Sequence, residues 1–212
     1  MPAMPTKTIF IAGARRNAGK TLVSEFLLRS LPGSGAIKVT CCRGESSCPR
    51  DRACGVCRAL TSPFAVIEER DILAQAGKDT ARLLAAGTGR VVWLQSREGA
   101  LRDALAAALS IFAKEPAVIV EGNAAFQAAA PDLGLLVIGS GVEPARGSVK
   151  VALPFISGVV LNTRPGAEPP AAMPGLTDSV RVFRFDAARP EADPEAAALT
   201  SWVVTTLALN VA

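Results

Sequence analysis

Thr8-Ile9-Phe10-Ile11-Ala12-Gly13-Ala14-Arg15-Arg16-Asn17-Ala18-Gly19-Lys20-Thr21 is the stretch on which the reading of this chain turns. Its first five residues are apolar or β-branched, the mark of a short buried strand. A glycine-containing turn follows. From Lys20 to Ser30, Leu22, Val23, Phe26 and Leu27 recur at helical spacing until Pro32-Gly33 ends the pattern. Between a strand and a helix, such a loop gathers backbone N–H groups at the positive end of a helix dipole, where they converge on phosphate oxygens. Gly19 permits close backbone approach, Lys20 brings an ammonium to the β- and γ-phosphates, and Thr21 offers a hydroxyl to Mg²⁺. The candidate nucleotide contacts are therefore Gly13, Asn17, Ala18, Gly19, Lys20, Thr21 and Leu22. Arg15 and Arg16 either add charge to the phosphates or face solvent. The usual spacing, G-x-x-x-x-G-K-[ST], puts its first glycine at position 14, where this chain has Ala14, with Gly13 one place earlier.

Working outward, the pattern alternates. Strands are expected at Ala36–Thr40, Phe64–Ile67, Val91–Leu94, Ala117–Val120, Leu133–Ile138 and Gly158–Leu161, with an edge strand at Val180–Phe185. Helices are expected at Asp79–Ala86 and Ala100–Ala113. A last helix opens with Asp193 as cap and Pro194 at the first position, and Leu199, Trp202, Val203 and Leu207 form its apolar stripe. Strands alternating with helices imply an α/β fold with a doubly wound, mainly parallel sheet flanked by helices. The 212 residues suit a single domain spanning 1–212. An irregular, cysteine-rich insertion is expected at about 41–63, and the proline-rich stretch Gly166–Gly175 is expected to be a surface loop.

Composition removes several function classes. Half of the residues are hydrophobic, enough for a sizeable core, and no apolar run reaches the ~20 residues of a membrane-spanning helix. The first residues lack the basic-then-apolar order of a secretory signal, so a cytoplasmic protein without a membrane partner is expected. A formal charge of +4 is too small to point to nucleic acid, and the absence of tyrosine argues against a base-stacking platform. With no histidine, imidazole general bases, Ser/His triads and His-ligated metals are impossible.

In doubly wound sheets ligands lie beyond the carboxyl ends of the strands. Three expected strands end there in polar residues: Lys38-Val39-Thr40, Val120-Glu121-Gly122-Asn123 and Leu161-Asn162. Glu121 is a candidate Mg²⁺ ligand beside Thr21, directly or through water. Lys20 and Glu121 are the candidate catalytic pair, since phosphoryl transfer rests on positioning and charge neutralisation. Lys38 is a candidate nucleotide contact. Asn162 carries the donors and acceptors that suit a base edge. In Gly77-Lys78-Asp79-Thr80 through Ala86-Gly87, Asp79 or Thr80 would serve as a helix cap and Gly87 as the stop.

The ordered set of the GKT loop, Ile37-Lys38-Val39-Thr40, Gly77-Lys78-Asp79-Thr80 with Ala86-Gly87, and Val120-Glu121-Gly122 resembles the MobB-like P-loop family of molybdopterin-guanine dinucleotide biosynthesis, over roughly residues 8–140. The resemblance implies a P-loop NTPase fold and a GTP- or ATP-binding protein with slow hydrolysis that assists molybdenum or other metal-cofactor assembly, working with a cofactor-biosynthesis protein and dimerising across the nucleotide face. It implies phosphate and Mg²⁺ contacts for Gly19, Lys20 and Thr21, a metal-side acid in Glu121, and a nucleotide-facing polar residue in Asp79. The Gly13–Gly19 loop and the Gly158-Val159-Val160-Leu161-Asn162 strand look more like dethiobiotin synthetase and its amidoligase relatives. That likeness implies a base contact for Asn162 and, as an alternative activity, ATP-dependent carboxylate activation. Where the first family follows its lysine strand end with histidines, this chain has Cys41 and Cys42.

All five cysteines lie together, as Cys41-Cys42, Cys48, Cys54 and Cys57. Soft thiolates without histidine favour Zn²⁺ or an iron–sulfur cluster, the C-x-x-C pair taking two positions and Cys48 with Cys41 or Cys42 completing the set. A redox dithiol, structural thiols, or a non-catalytic metal-binding module that uses nucleotide only for stability remain alternatives. Arg43, Arg50, Arg52 and Arg58 would offset thiolate charge or contact an anion. Because this segment follows Thr40, it is expected near the γ-phosphate side and coupled to nucleotide state.

Overall fold

The computed structural model describes residues 5–44, 56–87, 89–139, 148–163 and 179–209. Among these, eight strands form one sheet: β1 (Lys7–Gly13), β2 (Gly35–Cys42), β3 (Phe64–Ile67), β4 (Val91–Arg97), β5 (Ala117–Glu121), β6 (Leu133–Gly139), β7 (Gly158–Asn162) and β8 (Arg181–Phe185). The spatial order is β3-β4-β2-β5-β1-β6-β7-β8. Every pairing is parallel except that of β3, which lies antiparallel to β4 at one edge. β5 inserts between β2 and β1, so the carboxyl ends of β1, β2 and β5 lie side by side, the end of a parallel sheet where ligands sit. β8 takes the opposite edge, as its alternating exposed and buried residues require.

The period of two along β1 explains why helices cover both faces. Ile9 and Ile11 enter one core with Val23 and Leu27 of α1 (Lys20–Ser30), Leu83 of α4 (Asp79–Ala85) and Leu199 and Val203 of α7 (Pro194–Leu207). Phe10 and Ala12 point the other way, to Leu101 and Leu105 of α5 (Leu101–Ser110) and Phe126 of α6 (Ala125–Ala128). The short helices α2 (Val56–Ala59) and α3 (Arg70–Leu73) complete the set. The Asp193 side chain accepts from the Glu195 backbone N–H at 2.9 Å with Pro194 at the first helical position, the capping its sequence requires. This is an α/β fold with a doubly wound, mainly parallel sheet flanked by helices, as expected.

Two details depart from expectation. β2 does not stop at Thr40 but runs through Cys41 and Cys42, which pair with Ser96 and Arg97 of β4. Adjacent strand residues face opposite sides of a sheet: Cys41 packs against the core that holds α5, and Cys42 joins a small cluster with Val56 and Leu60. The irregular segment therefore starts two residues later than the sequence suggests, and the two thiols cannot share one ion from within the strand. Cys48, Cys54, Arg50 and Arg52 lie outside the described residues, as do the side chains of Cys57 and Arg58 and the stretch Gly166–Gly175.

Candidate functional site

The loop between β1 and α1 is shaped by two residues in the left-handed region, Asn17 at φ 62° and Gly19 at φ 102°. Asparagine is among the few side chains that tolerate this conformation, and glycine has no Cβ to object. A Cβ on Gly19 would collide with the Asn162 amide. Ala14 replaces the customary glycine at no cost in strain. It is fully buried, it has no positive φ, and its N–H still donates to Val137 O at 2.9 Å as an extension of the β1–β6 ladder. The glycine is needed one residue earlier, because the Lys20 side chain lies over Gly13 with its Cγ and Nζ 2.8 Å from where a Cβ would sit.

Two asparagines fasten the loop. At its start, the Asn123 amide mimics a strand: Gly13 N–H donates to Asn123 Oδ1 and Asn123 Nδ2 donates to Gly13 O, both at 2.9 Å. At its end, Asn162 Nδ2 donates to Ala18 O at 3.2 Å while its Oδ1 accepts from Ala187 N–H at 3.0 Å. Arg15, Arg16 and Asn17 are exposed on the bend. Leu22 turns its side chain to the core beside α1.

Beyond the loop lies a buried ionic cluster. Glu121, the last residue of β5, is 1% exposed, and Lys38 of β2 is 7% exposed. Register sets them side by side as partners on adjacent strands. Lys38 Nζ donates to Glu121 Oε1 at 2.5 Å and also to the Asp79 carboxylate at the start of α4. Thr21 Oγ1 stands 3.1 Å from Glu121 Oε1 and 3.2 Å from Asp79 Oδ1. Ser24 Oγ, one helical turn on, donates to Lys20 O at 3.0 Å and reaches Glu121 Oε2 at 3.4 Å. Burial pushes the Asp79 carboxyl up, but the Lys38 charge and hydrogen bond, the Thr21 hydrogen bond and the Lys20 charge outweigh it and hold the group below its ordinary value.

This geometry brings Gly13, Lys20, Thr21, Lys38, Asp79 and Glu121 together at the carboxyl ends of β1, β2 and β5. Asp79 does not act as a helix cap: Lys78 occupies that position without a side-chain bond, and Thr80 donates to Leu73 O at 2.7 Å instead. Gly87 does follow α4 with φ 76°. Thr21 Oγ1, Glu121 and Asp79 supply the hard oxygen donors that a Mg²⁺ ion takes, one or two carboxylates with room for phosphate and water. Among the described residues, no group of three or more His, Cys, Asp or Glu side chains is placed to hold a metal ion, and Cys41 and Cys42 face away from each other. No helix among the described residues is long and apolar enough to cross a membrane. Sequence reasoning missed Asn123 and Ser24. Ser24 lies four residues after Lys20 on α1, and Asn123 directly follows the Glu121-Gly122 strand end; those spacings were the available signal.

Neither a protein-family model nor a curated protein matches the chain. Among solved structures it is similar to a LAO/AO transport system kinase, with 14% identity over 97% of this chain and 61% of that one and a TM-score of 0.48. LpxK from Aquifex aeolicus in complex with ATP gives 17% identity over 85% of this chain and 54% of that one, with a TM-score of 0.46. A nucleotide-binding protein from Archaeoglobus fulgidus in complex with ADP gives 13% identity over 94% and 87%, with a TM-score of 0.37. The chain thus spans less than two thirds of the length of the first two.

Proposed function

We propose that the chain binds a Mg²⁺–nucleoside triphosphate, GTP or ATP, at the Gly13–Thr21 loop and hydrolyses it slowly. The observation that carries this reading is the Lys20 side chain lying over Gly13, at the head of a helix whose second residue, Thr21, meets two carboxylates. In this reading the loop N–H groups and the positive end of α1 hold the phosphates, Lys20 neutralises their charge, and Asn123 and Asn162 keep the loop in register. Thr21, Glu121 and Asp79 would hold the cation, which when bound supplies charge neutralisation to the departing phosphate. No imidazole is present to deprotonate water, so the chain's own residues position and neutralise, which suits a slow reaction.

A role in molybdenum or other metal-cofactor assembly extends this reading. It rests on the GKDT and VEG elements, whose residues Asp79 and Glu121 meet around Lys38. A Zn²⁺ or iron–sulfur site in the cysteine segment would draw on Cys41 or Cys42, since neighbouring strand residues face apart, together with Cys48, Cys54 and Cys57. Elemental analysis of anaerobically purified protein tests it.

Nucleotide binding is tested by calorimetry with GTP and ATP on Lys20→Ala. Triphosphate affinity falls by about 100-fold or more while the thermal melt stays near that of the parent protein. Unchanged affinity overturns the assignment.

A further inference from the structure

We propose that the Lys38 ammonium is a built-in counter-ion standing where the divalent cation would sit, so that cation binding waits on the nucleotide. This deepens the nucleotide-binding reading and rests on it. Three oxygen-bearing side chains from three elements meet at one place: Thr21 from α1, Asp79 from α4 and Glu121 from β5. They are the set assigned above to the cation, and Lys38 Nζ contacts both of the carboxylates. Thr21 has one hydroxyl proton and two carboxylate neighbours, at 3.1 and 3.2 Å, so it satisfies only one of them at a time. The ammonium donates to one oxygen of each carboxylate.

The positions explain both halves of the device. Glu121 is sealed at 1% exposure, where an uncompensated carboxylate is very costly, and the Lys38 ammonium supplies that compensation. Lys38 is tethered and pays no association cost, whereas Mg²⁺ would have to shed water to enter. The Asp79 side chain, by contrast, is 45% exposed, which leaves the cluster open on one flank. A polyphosphate held by the loop would present new anionic partners to that flank. Lys38 would then exchange a carboxylate for a phosphate, and its former place would pass to the incoming cation. The other charged group that faces Asp79 is Lys20, whose own role is with the phosphates. Without nucleotide, two ammonium groups and a divalent ion would crowd two carboxylates, and the ion is the one held by no covalent tether.

The test uses Mn²⁺ as the probe, with free ion counted by electron paramagnetic resonance in nucleotide-free protein. The parent protein binds Mn²⁺ weakly, and Lys38→Met binds it about tenfold or more tightly, because the same oxygens have lost their resident charge. Adding Glu121→Gln to Lys38→Met returns the affinity to the weak level. Equal Mn²⁺ affinity in the parent and Lys38→Met overturns the proposal. Lys38→Gln retains a donor for Glu121 and reads the same comparison if the methionine variant fails to fold. In the parent protein, the side-chain ¹⁵N resonance of Lys38 is expected to stay in place with Mg²⁺ alone and to move with Mg²⁺ and a non-hydrolysable triphosphate together. Displacement by Mg²⁺ alone also overturns the proposal. A failure of the nucleotide reading is distinguishable, because triphosphate would then bind neither protein while the Mn²⁺ comparison remained readable.

Discussion

Two glutamates bracket β5, and the protein treats them in opposite ways. Glu121 ends the strand at the carboxyl pole of the sheet, is sealed from water, and is met by an ammonium at 2.5 Å and by two hydroxyl groups. Glu115 precedes the strand at the far pole of the sheet, and its Oε2 is buried with no hydrogen-bond partner among the described residues. Ser34 Oγ is likewise buried and without a hydrogen-bond partner among the described residues. At Glu115, burial pushes the carboxyl above its ordinary value, and the Arg90 charge only partly opposes it. Buried charge by itself therefore says little about function. What separates the poles is convergence: one carboxylate sits where α1 and β2 deliver hydroxyls and an ammonium, and the other is tolerated.

The sharpest way to break this contrast is to remove the paired carboxylate. Glu121→Ala leaves the Lys38 ammonium buried with Asp79 alone, and the loss expected in urea unfolding is about 3–5 kcal/mol. A loss under about 1 kcal/mol would mean that the cluster is well hydrated and the contrast false. Next in size is the clasp beside it. Asn123→Ala leaves both polar groups of Gly13 without their amide partner and is expected to cost about 1–3 kcal/mol, with weaker triphosphate binding measured by calorimetry. If stability falls but nucleotide affinity holds, Asn123 is a strand-end device and not a loop-positioning one.

The smallest effect is expected at the other pole. Because the Glu115 carboxyl is raised in the folded protein, its protonation stabilises the fold fully below the ordinary glutamate value, and that benefit is lost as pH rises through the raised value. Glu115→Gln should remove this dependence and leave the melting temperature equal to or slightly above that of the parent at neutral pH. A melting temperature lowered by several degrees would show that the carboxylate has a partner after all. Asp79 runs the other way: held low by Lys38 and its neighbours, it stabilises the fold above its ordinary value, and this is lost as pH falls through the lowered one.

Most of the sheet was legible because its strands are short apolar runs bounded by turn residues, and β1, α1 and α7 carry strong local signals in Ile9–Ile11, Pro32-Gly33 and Asp193-Pro194. The polar strand ends Lys38 and Glu121 were legible from position alone, since a charge at the close of a buried strand needs an explanation. Their mutual contact was not, because strand order is a long-range property: β2 and β5 are neighbours only through the crossover pattern. The Asp79 assignment as a helix cap shows the same limit. Local propensity favours the first turn of α4, and a lysine some forty residues away redirects the side chain. Cys41 and Cys42 were read as loop because composition there changes, while the ladder to β4 continues.

The Asn162 amide reaches from Ala18 in the loop to Ala187 just past β8. One planar group thereby rivets the first bend of the chain to its final third. Cutting the chain before Arg181 would take Ala187 away from that amide and leave Ala18 leaning on an unbraced post. Damage far along the sequence would thus be felt first at the bend that Gly19 completes.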